Sequence, residues 1–218
     1  MEIIKKILNI FSKKLTTTKT DTPQYVDLGL PSGLKWAKCN VGAEKETDDG
    51  YYFQWGEITP YTDYTWADYK YCNGSSTTMT KYCTDSLNGT VDNKTKLEDE
   101  DDVARANMGG DWRMPTSDEC EELINNTINE WISDYNGTGV SGRKFTSKTD
   151  TSKYIFIPAA GGCYQRSVYD VGSYGDVWSS SLNISNPYSA WYLVFNSVNC
   201  SMGRFGSRYY GKSVRGVF

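Results

Sequence analysis

The sequence predicts a mixed α+β fold of short strands, few helices and long irregular loops, and three observations point to it. Strand-like runs are short and end in turn residues such as Pro31-Ser32-Gly33. The clearest helix start is a capping box, Thr116 with Glu119 three residues on. The chain also holds 17 Tyr, 7 Trp and 20 Gly against 6 Pro, and with its many Ser and Asn this is the chemistry of irregular, contact-making surface. At 218 residues it is long enough for one domain with a buried core.

Residues 1–24 stand apart from the rest. Ile3, Ile4, Ile7, Leu8, Ile10 and Phe11 recur at helical spacing, with Lys5, Lys6, Lys13 and Lys14 between and after them. A secretory signal would place its charges before an unbroken apolar run, whereas here they interrupt it. The segment reads as a short amphipathic helix followed by a Thr/Lys linker. The favoured role is docking on a partner, such as a virion or fibre component, or on a sister copy. Lying on a membrane surface and packing on its own domain are the alternatives. No run approaches the roughly 18 apolar residues of a membrane span.

From Tyr25 the composition turns globular. Tyr25–Leu30 and Leu34–Cys39 read as strands around the Pro31 turn, and Tyr51–Gly56 as an aromatic strand. Residues 61–93 are polar, Tyr-rich and full of turn residues, an elaborated loop. The acidic run Glu98–Asp102 precedes Val103 and Ala104 and suits a solvated helix N-terminus, since carboxylates there meet the positive end of the helix dipole. A calcium site is the sharper alternative, but the run lacks the glycine-bearing spacing of an EF-hand loop. The helix after Thr116 runs to about Asn125 with Cys120, Leu123 and Ile124 inward. Tyr154–Ile157, Trp178–Ser181 and Ala190–Phe195 are the remaining clear strands.

Composition argues against several functions, although carboxylates remain able to do acid–base work. The net charge of -4 argues against nucleic acid as a partner. Histidine is absent, which removes the commonest general base and the Ser-His and Cys-His nucleophile pairs. The six cysteines (39, 72, 83, 120, 163 and 200) form no C-x-x-C zinc pattern. Cys72 and Cys83 flank a polar loop and are either a disulfide or free thiols, according to the redox compartment. No catalytic residue, metal or cofactor is expected.

A set of phrases then carries a resemblance. They are Tyr25-Val26-Asp27-Leu28-Gly29-Leu30, Trp36 to Ala43, Trp55-Gly56-Glu57, Trp112-Arg113-Met114-Pro115-Thr116, Ile157 to Gly161, Trp178 to Ser181, and Gly211-Lys212-Ser213-Val214-Arg215. In this order, over residues 25–218, the chain resembles the Bacteroidetes surface and phage proteins grouped as the Fibrobacter succinogenes major paralogous domain. That group is similar to the formylglycine-generating-enzyme type of C-type-lectin-like fold. The resemblance implies small twisted antiparallel sheets with few helices and extensive loops. It also implies kinship with the variable proteins of diversity-generating retroelements, phage receptor-binding proteins among them, whose C-terminal segment is rewritten at template adenines.

Adenine rewriting turns an Asn codon into most residues but never into Lys, Glu, Gln, Met or Trp. The first 165 residues hold 28 Lys, Glu and Gln, whereas the 46 residues from Arg166 to Gly211 hold none. At the earlier rate about eight would be expected against ordinary usage. On this reading residues 164–210 form a variable region on a ligand-binding domain of residues 25–218. Strand alternation puts Trp191, Leu193 and Phe195 inward and Tyr192 and Val194 outward. The positions expected to bind are Asp176, Val177, Tyr188, Ser189, Tyr192, Val194, Val198, Asn199, Ser201, Gly203, Arg204, Phe205, Gly206, Tyr209 and Tyr210. Rigid tyrosines supply contact area, and Ser, Gly and Asn supply adaptable polar contacts.

The partner expected is a protein or glycan on a target cell surface, and the location a phage virion or a cell surface. An enzyme of the formylglycine-generating kind would need a C-terminal cysteine pair that Cys163 and Cys200 do not provide. A calcium-bridged sugar lectin would need acidic ligands that Ser185-Asn186-Pro187-Tyr188 lacks. The strongest competitor is an undiversified adhesin or lectin-like module of the same fold.

Overall fold

The computed structural model describes residues 24–218, so the expected amphipathic helix lies outside the described residues. Strands outweigh helices, and every sheet is antiparallel. The class is α+β.

β1 (Tyr25–Asp27) and β2 (Lys35–Ala37) pair across the Pro31 turn. They are shorter than their sequence runs, because Leu28 and Leu30 leave the ladder and become core. Tyr51–Gly56 is not a strand. It makes a single bridge, Phe53 to Lys212, while Phe53 and Trp55 are fully buried. Residues 61–93 have no regular element either, yet Tyr64, Tyr69, Tyr71, Met79, Tyr82 and Cys83 are all buried. The expected loop is present, and its inner side is a core wall. What holds it is Arg208, whose guanidinium donates to Tyr69 Oη (2.7 Å) and to the carbonyls of Lys81 (2.9 Å), Tyr82 (3.1 Å) and Pro187 (2.8 Å). It also lies about 5 Å from the Trp55 and Tyr69 ring centres, so aromatic faces and carbonyl dipoles take the place of a carboxylate.

The acidic run starts a helix but is not wholly solvated. A 3₁₀ turn (Asp99–Asp101) leads into α1 (Val103–Met108), and Asp101 and Asp102 are buried. Asp102 is the N-cap: its carboxylate accepts from the backbone of Ala104 (2.9 Å), Arg105 (3.1 Å) and Met114 (2.7 Å). Asp101 accepts from Lys81 Nζ (2.6 Å), Tyr82 Oη (2.6 Å) and Lys70 Nζ (3.2 Å). Glu98, Glu100 and Asp101 converge, but Lys81 bridges all three.

α2 (Ser117–Asn126) has both halves of the predicted capping box and buries Cys120 and Leu123. It packs against the last three strands of the chain. β3 (Thr127–Ile132), β4 (Gly142–Ser147) and β5 (Tyr154–Pro158) form one three-stranded sheet. β6 (Gly162–Tyr164) and β7 (Ser167–Tyr169) form a hairpin, and β8 (Gly175–Leu182), β9 (Ser189–Phe195) and β10 (Cys200–Ser207) form a sheet with β9 central. All six cysteines are free thiols, and Cys72 and Cys83 donate to the carbonyls of Trp66 and Asp85 instead of pairing.

The β8–β9–β10 sheet separates two cores. Val177, Leu193 and Phe195 join Leu28, Trp36, Phe145 and Ile157 on one side, while Trp178 joins Phe53, Trp55 and Tyr82 on the other. Fully burying a Phe or Leu side chain contributes roughly 1.5–3 kcal/mol, so both cores matter to stability. Residues 211–218 run between them as a spine. They exchange backbone bonds with Cys163, Phe53 and Arg113 and bond one way to Val41 and Trp178, and Gly211 to Val217 are all buried. Arg215 donates from the spine to Asn40 Oδ1 and to the carbonyls of Ala37 and Phe156. Among the described residues no helix is long and apolar enough to cross a membrane.

Candidate functional site

The open face of the β8–β9–β10 sheet is set by register. Asp176, Val194 and Ser201 lie in one row across the three strands, and Trp178, Tyr192 and Gly203 in the next row on the same face. Trp178 is covered by a core, but Asp176, Val194 and Tyr192 open into a cleft of about 260 Å³. The cleft is walled by Tyr169, Asp170 and Tyr174 from the β6–β7 hairpin and its exit, and by Val194, Phe205, Gly206 and Tyr210 from the sheet and its end.

The hairpin wall depends on one glycine. Gly161 has φ +62, and a Cβ there would lie 1.8 Å from the Tyr169 carbonyl, so no other residue lets the hairpin fold back this closely. Gly161 then donates to the Tyr174 carbonyl (2.7 Å), which fixes Tyr174 at the cleft mouth.

The floor is a buried ion pair. Lys212 Nζ donates to Asp176 Oδ2, with the residues 2% and 8% exposed. The ammonium sits 4.0 Å from the Tyr192 ring centre, 5.2 Å from that of Trp178 and 5.8 Å from that of Tyr210. Burial lowers the Lys212 pKa, and the Asp176 charge opposes that shift. The spine holds both partners in place: Lys212 bridges Phe53, and Ser213 donates to the Asp176 carbonyl. Burial pushes the Tyr192 phenol up to about 12 and raises that of Tyr169, so both are neutral donors at physiological pH.

Six expected positions come together here: Asp176, Tyr192, Val194, Phe205, Gly206 and Tyr210. Around them Asn199, Ser201 and Arg204 are exposed, with Val198 79% and Phe205 62% exposed and the Arg204 guanidinium 4.9 Å from the Phe205 ring. Tyr209 and Tyr210 continue outward as an aromatic group, with ring centres 4.6 Å apart, Tyr164 at 5.5 Å from Tyr210, and Trp66 at 4.6 Å from Tyr209.

Other expected positions do not join the face. Val177 follows Asp176 in a strand, so alternation sends its side chain into the opposite core, where it is 1% exposed. Ser189 is 1% exposed at the start of β9. Tyr188 is half-buried against the core that holds Trp178. Gly203 lacks room for a side chain, since a Cβ would meet the Tyr192 ring at 2.5 Å; Gly206 lines the cleft but is equally confined, with a Cβ 2.7 Å from the Trp178 ring. Tyr192 does not point freely to solvent, because its ring lies across Gly203, edge-on to Trp178 and against Lys212. Trp191, expected inside, is half-buried and belongs to neither core. Both partner strands are irregular beside it, between Trp178 and Leu182 and between Gly203 and Gly206, so Trp191 has no register partner on either side.

Lys212, Asp170 and Gly161 line the cleft without having been singled out in the sequence as binding positions, and Tyr169 and Tyr174 join them from the variable stretch. The two tyrosines carried a signal, since both fall in the Lys-, Glu- and Gln-free stretch. Lys212 carried the opposite one, lying just beyond that stretch in a scaffold phrase. Comparison with protein-family models, curated proteins and solved structures finds no match.

Proposed function

We propose that this chain is a ligand-binding protein, not an enzyme, that displays a diversified face on a C-type-lectin-like scaffold, in the manner of a retroelement variable protein. The observation that carries the reading is where the 46-residue stretch without Lys, Glu or Gln falls. It supplies most of the cleft wall and the exposed rim of Val198, Asn199, Ser201, Arg204 and Phe205. The rim residues point away from both cores, so substitution there costs little stability. A phage receptor-binding protein is the form of this reading that the resemblance favours, with a protein or glycan on a target cell as partner.

One observation favours the undiversified module instead. Val177, Ser189, Gly203 and Gly206 are buried or lack room, so part of the missing Lys and Glu reflects packing and not codon chemistry. Two experiments separate the readings. Randomising Val198, Asn199, Ser201, Arg204 and Phe205 together should leave most variants folded and yield binders on selection against unrelated targets. A library that mostly unfolds would remove the display reading. Sequencing the locus should reveal a near-copy of the 3' coding segment differing only at adenines; an intact locus without one favours the undiversified module.

A further inference from the structure

The cleft floor has a property that the display reading does not require, namely that it is charged yet neutral overall. Asp176 and Lys212 cancel each other, and the pair is buried where separating the charges costs most. An incoming cation would compete with Lys212 for Asp176 and for the Tyr192 and Tyr210 rings that already hold the ammonium. An incoming anion would meet the Asp176 carboxylate beside the lysine, with Asp170 on the wall. Neither ion gains there.

What the floor offers instead is a donor beside an acceptor. Asp176 Oδ2 takes the lysine bond, and the second carboxylate oxygen has no hydrogen-bond partner among the described residues. The phenols of Tyr169 and Tyr192 are neutral, and neither takes part in a hydrogen bond with another described side chain. Tyr174 and Phe205, at 41% and 62% exposure, present ring surface at the mouth. The complement to these walls is a neutral ring with one apolar face to lie on an aromatic ring and an edge of adjacent hydroxyls that both donate and accept. A partner's apolar side chain would leave the floor groups unmet, which is costly for buried polar atoms. At about 260 Å³ the cleft lies below the roughly 300–1,000 Å³ of most small-molecule sites, so it holds one ring and not several.

We propose that the cleft between the β6–β7 hairpin and the β8–β9–β10 sheet binds a single neutral pyranose of a glycan, with Asp176 and Lys212 meeting adjacent hydroxyls and Tyr174 or Phe205 stacking on the ring, without a metal ion. This rests on the proposed binding face and names what its deepest part takes.

The test is saturation-transfer NMR of the full chain with free glucose, galactose, mannose and N-acetylglucosamine, and with glucosamine and sialic acid as charged probes. The expected result is transfer to at least one neutral sugar, unchanged by a chelator and weaker for both charged probes. Tyr174→Ala, an exposed position that leaves the fold intact, should weaken binding about tenfold. Tyr192→Phe, which keeps the packing and removes one hydroxyl, should weaken it less. Charged probes that bind as well as the neutral ones would overturn the proposal, as would loss of binding on chelation. Silence from every sugar, with rim-library binders to protein targets still obtained, would overturn the sugar site and leave the binding face standing. Silence together with no binders would remove both.

Discussion

Tyr192 has a scaffold role as well as a place in the cleft, and that changes what its removal should do. Its ring covers Gly203, meets Trp178 edge-on at 5.8 Å and lies against the Lys212 ammonium. Tyr192→Ala should therefore cost about 2–3 kcal/mol, near the low end of core aromatic truncations, because it opens a hole beside a buried charge. Phe205→Ala, at a 62% exposed position, should cost about 0.5 kcal/mol or less. Chemical denaturation of the two variants checks the ordering, and equal losses would sink the distinction between scaffold and rim. Asp101 makes a separate prediction. Burial alone would raise its pKa, but hydrogen bonds from Lys81, Tyr82 and Lys70 outweigh that and hold it at about 2. An unfolded Asp titrates near 3.9, so the folded value is depressed. The stabilisation it gives is complete above about pH 4 and is lost as pH falls towards 2, amounting to about 1–2 kcal/mol after allowance for solvent screening. Asp101→Asn should flatten the melting temperature across that window; an unchanged acid limb would show that Asp101 does not control it.

At the level of elements, what the sequence revealed was what local chemistry decides. The Thr116–Glu119 box sets the start of α2 without help from the rest of the chain, and Thr116→Ala should cost about 1 kcal/mol in thermal melts. β5, β8 and β9 were legible from their apolar runs. β3 and β4 were not, because Asn129, Glu130, Arg143 and Lys144 make both strands look like loop until each is seen to pair with the other. Residues 61–93 are the loop their composition suggests, but the burial of Tyr69 and Tyr82 has a longer-range cause: both pack around Arg208, more than 120 positions away. The candidate site was legible in the same proportion. The shared face of Tyr192 and Val194 was legible from strand alternation, whereas the burial of Val177 and Ser189 was not, nor was the irregular pairing beside Trp191 and Gly203. Gly206→Ala tests that irregular stretch. A Cβ 2.7 Å from the Trp178 ring is overpacking, with an expected cost of about 1–3 kcal/mol read from the denaturation midpoint.

Over the whole molecule, two cores, one sheet and the cleft are tied together by residues 211–218. Lys212 is the cleft floor, Val214 and Val217 each belong to one of the two cores, and Arg215 fastens the spine to the end of β2 and to Asn40 beyond it. The partners are far apart in sequence, as in the bridges of Val217 with Trp36 and of Lys212 with Phe53. Loops of that length must close before their contacts stabilise anything, which places the chain among slow folders. Synthesis adds a direction to that delay. Residues 211–218 are translated after every segment they join, so Trp36, Trp55 and Trp178 have no completed surroundings while the chain is still growing. A chain stalled on the ribosome before residue 211 should be cut readily by protease, whereas one that has emerged through residue 218 should resist it. The same eight residues that fix the cleft floor thus make the nascent chain dependent on whatever shelters its tryptophans until the spine is threaded.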